Sequence, residues 1–290
     1  MKGIVLAGGT GTRLWPTTAS TSKQLLPVYD KPMIYYSLST LMRAGIRDIL
    51  IICSPEYLSP FKTLLSNGEK FGIKIEYRVQ ESPEGIAQSF IIGEDWIRDD
   101  SICLILGDNI FSGNPFNFER NFSGIDRGAL IAGYQVKNPS EYGVAVLNES
   151  DRVISLEEKP AKFISKIAIP GIYAFDNSVV SRAKNLQKSA RGEYEIVDIL
   201  KSYLVENLLE IQILPQTSAW FDCGNPDSLN EASNYVRAIQ ERQDILVCSP
   251  EDIAFENNWL EKDELLTQLN DFPNVKYSKY LIKKCLQRGD

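Results

Sequence analysis

The sequence predicts an α/β protein: three layers, with helices on both faces of a mostly parallel, mixed central sheet, and a helical appendage at the C-terminus. Three observations predict it. Short apolar runs alternate with helical patterns through the first half, as the strand–helix–strand units of a parallel sheet require. The second half carries strands separated by turns with little helix between them, which makes the sheet mixed. Beyond about residue 245 only short amphipathic helices remain.

Gly3–Ala7 is a buried strand running straight into glycines. Pro32–Arg43 has helical spacing and Gly45 as its stop signal. The Ile-rich run Asp48–Cys53 is the second strand, Leu58–Leu65 a helix and Lys74–Val79 the third strand. Glu84–Ile97 is expected as one helix and Ile102–Leu106 as the fourth strand. Ala129–Val136, Gly143–Leu147, Val153–Glu157, Ala168–Phe175 and Leu208–Leu214 follow as strands, with helices at Asn177–Leu186, Glu195–Glu206 and Pro226–Arg242. At ~150 residues per domain, the length allows one large domain or two small ones. No Gly/Ser-rich linker divides the chain, so residues 1–244 are expected to share one sheet, in halves of about 1–125 and 126–244. Residues 245–290 are a separate helical segment, either a packing appendage or an oligomer or effector surface.

Composition narrows the function. With 31 basic against 38 acidic residues the net charge is −7 and the pI about 5.0, so the chain lacks the basic face that nucleic acid requires. No run reaches the ~18 apolar residues of a membrane span, and the N-terminal apolar run is too short for a signal peptide. There is no histidine, which excludes a His-based triad, a His–metal site and an imidazole switch. The five scattered cysteines form no C-x-x-C pair, against zinc and in favour of reduced cytoplasmic thiols.

The first strand ends in Gly8-Gly9-Thr10-Gly11-Thr12-Arg13-Leu14. Glycines at the carboxyl end of such a strand sit where ligands bind in open α/β sheets, and they let backbone N–H groups approach an anion. Leu14 stands where a dinucleotide fingerprint needs its third glycine, and Arg13-Leu14 fails the P-loop pattern. A glycine loop with two cations, Arg13 and Lys23, suits a polyphosphate; the alternative is a plain turn. Asp108, after Leu104-Ile105-Leu106-Gly107, falls on the same rim, and Asp222 in Trp220-Phe221-Asp222-Cys223-Gly224 ends another strand. Two such carboxylates suit Mg²⁺ completed by substrate phosphates. The alternative for each is a cap on a turn or helix. In Ser155-Leu156-Glu157-Glu158-Lys159-Pro160, Lys159 could hold a phosphate and Glu158 accept from sugar hydroxyls, or the motif is a solvated turn.

Together these motifs make the chain resemble the sugar-1-phosphate nucleotidylyltransferases, most of all the short glucose-1-phosphate thymidylyltransferases of bacterial deoxysugar pathways. The residues that carry the resemblance are GGTGTRL (8–14), SKQLLPVYDKPMIYY (22–36), VQESPEGIAQ (79–88), LGDN (106–109), EYGVAV (141–146), SLEEKP (155–160), GIYAF (171–175), RGEYEIVD (191–198) and AWFDCG (219–224). The resemblance implies a Rossmann-like nucleotide-diphospho-sugar transferase fold, whose first half binds nucleotide and whose second binds sugar. It implies that Leu6, Gly8, Gly9, Gly11 and Thr12 line the nucleotide, and that Gln80, Pro83, Gly85 and Gln88 surround the base. Arg13 and Lys23 would hold the triphosphate, and Asp108 and Asp222 would bind Mg²⁺. Asn109, Tyr142, Gly143, Glu158, Ile169 and Tyr173 would surround the hexose, Lys159 and Arg191 hold its phosphate, and Trp220 wall the site. Arg13, Lys23, Lys159 and Asp108 are the catalytic set so implied, with dTTP and glucose 1-phosphate as substrates and dTDP-glucose as product. The resemblance also implies a cytoplasmic homotetramer, feedback by a dTDP-sugar, and a place in dTDP-rhamnose and surface-polysaccharide synthesis. Alternatives within the family are a uridylyltransferase and a non-catalytic nucleotide sensor. Three residues depart from its pattern: Trp15, Pro170 and Cys223.

Overall fold

Strand β1 (Lys2–Ala7) lies inside the sheet between β4 (Asp48–Cys53) and β6 (Ile102–Leu106), parallel to both. Strand β5 (Lys74–Val79) adds in parallel beyond β4. The structure is a computed structural model that describes residues 1–9, 11–113 and 127–287. Thr10, the expected division near 125/126 and the last three residues of the C-terminal segment lie outside the described residues.

The apolar runs are near-continuous because helices cover both faces. Alternation by two sends Val5, Ala7, Ile49 and Ile51 to one face and Ile4, Leu50 and Ile52 to the other. The first set packs on α1 (Ile34–Arg43) and α2 (Leu58–Leu65), through residues such as Leu38, Leu41, Phe61 and Leu65. The second set shares a core with α3 (Gln88–Ile92) and α4 (Glu94–Ile97), through Phe90 and Ile97. Helices α5 (Val179–Lys184) and α6 (Ile196–Val205) belong to that core through Val179, Ile196, Leu200 and Tyr203.

Six more strands extend the sheet: β8 (Ala129–Gln135), β9 (Gly143–Leu147), β10 (Val153–Glu158), β11 (Ile167–Ala168), β12 (Ile172–Phe175) and β13 (Leu209–Ile213). The order is β10-β9-β11-β8-β12-β6-β1-β4-β5, with β13 joined to β8 in parallel. Strands β10, β11 and β12 run against the common direction of the others. One sheet therefore spans both halves of the chain. Outside it, β2 (Pro27–Val28) pairs with β3 (Lys31–Pro32), and β7 (Asn109–Ser112) pairs antiparallel with β14 (Ala219–Asp222).

Two expected elements are corrected. Ala168–Phe175 is not one strand: β11 and β12 both lie antiparallel along β8, but the pairing breaks at Pro170, which has no N–H to give. Glu84–Ile97 is not one helix. The Glu84 carbonyl accepts from Tyr194 N (2.7 Å) and Ala87 N donates to Tyr194 O (3.3 Å), so the backbone of 84–87 is engaged elsewhere, and a second break falls at Gly93.

Helix α7 (Pro226–Gln243) starts directly after β14, capped by the Asn225 side chain, which accepts from Ser228 N at 3.0 Å, with Pro226 in its first turn. The C-terminal segment forms α8 (Pro250–Glu256), α9 (Lys262–Leu269) and α10 (Lys276–Gln287). Helix α8 packs on α1. Helices α9 and α10 close a small core of their own around Leu265, Leu281 and Cys285. Among the described residues no helix is long and apolar enough to cross a membrane.

Candidate active site

The pairing of β7 with β14 sets Asn109 opposite Asp222, and Cys223 N donates to Asp108 O at 2.9 Å. Two acids far apart in sequence thus become neighbours at the carboxyl rim of the sheet. Burial and the charge of Asp108 push the Asp222 carboxyl up to about 6, against the pull of Lys23 and Arg13. Asp108 is 7 % exposed; burial works against its charge, yet the ion-paired Lys23 ammonium holds its carboxyl below the ordinary value. Burial opposes the charge of Lys23 too, and Asp108 outweighs it, so Lys23 titrates above its ordinary value. The Arg13 guanidinium packs against Gly224, where a Cβ would lie 2.6 Å from it. The result is a cluster of two acids and two cations in which Asp108 is buried, Lys23 and Asp222 are half-buried and Arg13 is exposed.

Asn109 braces this cluster. Its Oδ1 accepts from Trp220 Nε1 (2.7 Å) and Gly171 N (3.0 Å), and its Nδ2 donates to Asp108 Oδ1 (3.0 Å). Gly171 belongs to a fork in the sheet. On one side of Pro170, Ile169 N donates to Gly143 O at 2.8 Å; on the other, Leu106 N donates to Gly171 O at 2.8 Å. Before Pro170 the segment pairs with β9 through β11, after it with β6 through β12, and a cavity of about 220 Å³ is lined by residues from both branches. Gly171 leaves room for its neighbours: a Cβ would stand 2.6 Å from Leu106 Cδ1 and 2.9 Å from Asn109 Cγ, and those side chains would have to move.

Arg13, Asp108 and Asp222 line this cavity together with Asn109, Tyr142, Gly143, Glu158, Lys159, Ile169, Tyr173 and Trp220. Every sugar-side residue expected from the sequence except Arg191 is therefore brought to one place. Trp220 forms the wall, with ring centroids 5.0 Å from Tyr142 and 5.6 Å from Tyr134. Burial pushes the Glu158 carboxyl up, with Lys159 and Arg191 partly opposing. Lys159 adopts a left-handed conformation at φ 45° and donates its N–H to Tyr142 O at 3.0 Å. Arg191 lies beside Glu158 (3.7 Å), but it also pairs with Glu193 (2.8 Å) and Glu195 (3.8 Å), in a ring of acids at the cavity's edge.

The expected nucleotide residues gather on the adjoining rim. Gly8 is approached so closely by Gln80 that a Cβ would lie 2.2 Å from its Oε1. Gln80 Nε2 donates to Gln88 Oε1 at 2.6 Å, which also accepts from Glu84 N at 3.1 Å. Leu6 is the penultimate residue of β1, Gly85 backs onto the Tyr194 backbone, and Pro83 is exposed on the loop. Gly9 and Gly11 both take positive φ, and Thr12 and Arg13 form one short helical turn after them.

The sequence did not point to the cavity's apolar side, formed by Ile86, Leu106, Ile196, Val197 and Leu200. The i, i+4 spacing of Ile196 and Leu200 marks one face of a helix start, and that was the available signal. Among the described residues no group of three or more His, Cys, Asp or Glu could hold a metal.

Residues 2–239 match the family model of nucleotidyl transferases. The chain is 49 % identical over 284 residues to a glucose-1-phosphate thymidylyltransferase of Neisseria meningitidis, covering 98 % of this chain and 99 % of that protein. It is 47 % identical to the enzyme of that name from Mycolicibacterium smegmatis, covering 98 % of each. A Bacillus anthracis structure described as a glucose-1-phosphate thymidylyltransferase in complex with sucrose superposes with a TM-score of 0.77 at 40 % identity, covering 82 % of this chain and 95 % of that one. A UDP-glucose pyrophosphorylase, at 22 % identity and a TM-score of 0.72, shares the fold. The chain belongs to the nucleotidyl transferase family, and within it to the group of the glucose-1-phosphate thymidylyltransferases.

Proposed function

We propose that this chain transfers the thymidylyl group of dTTP to glucose 1-phosphate, giving dTDP-glucose and pyrophosphate. The observation that carries the reading is the cavity at the fork: its lining combines Tyr142, Glu158 and Tyr173, groups suited to a hexose, with Arg13 and Lys159, cations suited to phosphates, beside Asp108 and Asp222. The names of relatives that match along nearly the full chain support the choice of substrates.

The chemistry suits a chain without histidine. A phosphate monoester has a second pKa of about 6, so near neutrality the sugar phosphate is already a dianion and needs no general base. The barrier lies in bringing one anion onto another, and positioning with charge neutralisation lowers it. Lys159 is placed to hold the attacking phosphate, and Glu158 to accept from the hexose. Arg13 is placed to stabilise the departing pyrophosphate. Lys23, kept charged by Asp108, neutralises the triphosphate. Asp108 and Asp222 fit Mg²⁺: a buried and a half-buried carboxylate repel each other, and a hard cation with phosphate oxygens would relieve them. That ion would supply charge neutralisation at the α-phosphate.

The same reading makes the protein a cytoplasmic homotetramer under feedback from a dTDP-sugar, at the head of a deoxysugar route such as that to dTDP-rhamnose. The family resemblance alone supports this part, and the segment 245–290 is its assembly surface. Pyrophosphate release with glucose 1-phosphate and Mg²⁺ tests the reaction, comparing dTTP with UTP, CTP, ATP and GTP. Release with dTTP, lowered at least ~10²-fold in Asp108→Asn, is expected. Preference for UTP would make the chain a uridylyltransferase, and dTTP binding without turnover a sensor.

A further inference from the structure

The segment 22–33 carries Lys23 at one end and a second lysine, Lys31, at the other. Lys31 is 3 % exposed, a costly place for an ammonium unless every donor finds a partner. Its Nζ donates to Asp30 Oδ1 at 2.5 Å and to Gln240 Oε1 at 3.1 Å. It also lies over the rings of Tyr36 (4.9 Å) and Tyr277 (5.7 Å), both within cation–π range. These partners come from separate parts of the chain: Gln240 from α7, Tyr36 from α1 and Tyr277 from α10. Gln240 completes the junction, donating to Asp30 Oδ2 at 2.7 Å and accepting from Val247 N at 2.9 Å.

Three of the joined parts reach the reaction centre. Segment 22–33 delivers Lys23 to Asp108. Helix α7 begins just after Asp222, whose carbonyl accepts from Ser228 Oγ at 2.6 Å. Helix α1 offers Ser37 Oγ to the carbonyls of Leu106 (3.2 Å) and Asn109 (3.4 Å), which flank Asp108. A buried ion pair is weak support for stability, since apolar packing of like volume often serves as well. What this one supplies is a fixed relation among the parts that carry the cation and both acids.

We infer that Lys31 is a positioning residue for the transfer reaction. Its ammonium locks the segment bearing Lys23 onto the helix rooted at Asp222 and ties both to the C-terminal helices. The inference rests on the proposed roles of Lys23, Asp108 and Asp222.

The test measures kcat and KM for dTTP and glucose 1-phosphate, per folded molecule, in Lys31→Met, Lys31→Arg and Gln240→Leu, with thermal midpoints alongside. A misplacement of catalytic groups by about 1 Å can lower turnover by about 100-fold, so kcat in Lys31→Met is expected to fall by about 10- to 100-fold. The KM for glucose 1-phosphate should stay within about twofold, because the sugar's contacts are untouched. Lys31→Arg should recover part of the loss, and Gln240→Leu should show a smaller loss in the same direction. Gln240→Leu keeps the Lys31–Asp30 pair and carries the test if Lys31→Met fails to fold. A kcat per folded molecule within about twofold of the unsubstituted protein in the folded variants, whatever their midpoints, overturns the inference. An unsubstituted protein that releases no pyrophosphate removes the functional reading instead, and the inference with it.

Discussion

Lys159 holds a left-handed backbone at φ 45°, which costs a residue with a side chain about 1–2 kcal/mol. Such strain persists where the surroundings impose it, here by the bond from its N–H to Tyr142 O. Stability and function should therefore separate at this position. Lys159→Gly relieves the strain and removes the cation, so its thermal midpoint should equal or exceed that of the unsubstituted protein while kcat falls by about 10²-fold. A variant both less stable and fully active would contradict the assignment. Asp108 and Asp222 were each legible as acids at strand ends. Their convergence was expected too; what the sequence did not show is the means, Asn109 pairing with Asp222 across two four-residue strands too short to stand out by pattern. Arg191 shows the converse: its charge is plain in the sequence, but its engagement with Glu193 and Glu195 is a matter of loop geometry.

The fork at Pro170 is the element that makes a binding site out of a sheet. A continuous strand through 168–175 would pair along its whole length and close the space between β6 and β9. Gly171 keeps the fork's two sides in contact through Leu106 and Asn109. Gly171→Ala forces a Cβ into them, which overpacking prices at about 1–3 kcal/mol. The expected result is a lower thermal midpoint and a raised KM for glucose 1-phosphate, with the KM for dTTP little changed; an equal rise in both would move the fork's role away from the sugar. Four first-half elements were legible to the residue: β4, α2, β5 and β6 match the expected ranges. The misread elements, 84–97 and 168–175, are those whose backbone groups are engaged by a distant segment or interrupted by proline, and both border the candidate site. Local pattern carries no signal for such partners.

Across the whole molecule the main sheet carries the glycine loop, Asp108 and the cavity, the β7–β14 pair brings Asp222 to them, and the C-terminal helices are fastened on through α1 and α7. Glu251 shows how that fastening responds to pH. Burial pushes its carboxyl above the ordinary 4.5, against hydrogen bonds from Tyr277 and Ser249. The folded chain thus holds this proton more readily than the unfolded chain, and the Glu251 contribution to stability declines as pH rises from the ordinary value through the raised one. Glu251→Gln has no charge to bury, so its thermal midpoint relative to the unsubstituted protein should climb as pH rises above the ordinary 4.5. A flat difference would contradict the direction of the shift. The central claim concerns the reaction itself: a chain without histidine positions two anions and neutralises them, and the sugar phosphate is the nucleophile. Exchange of labelled pyrophosphate into dTTP, followed with and without glucose 1-phosphate, tests this most directly. Exchange that requires the sugar phosphate is the predicted result, whereas exchange in its absence would mean that a side chain takes the thymidylyl group first and would contradict the account.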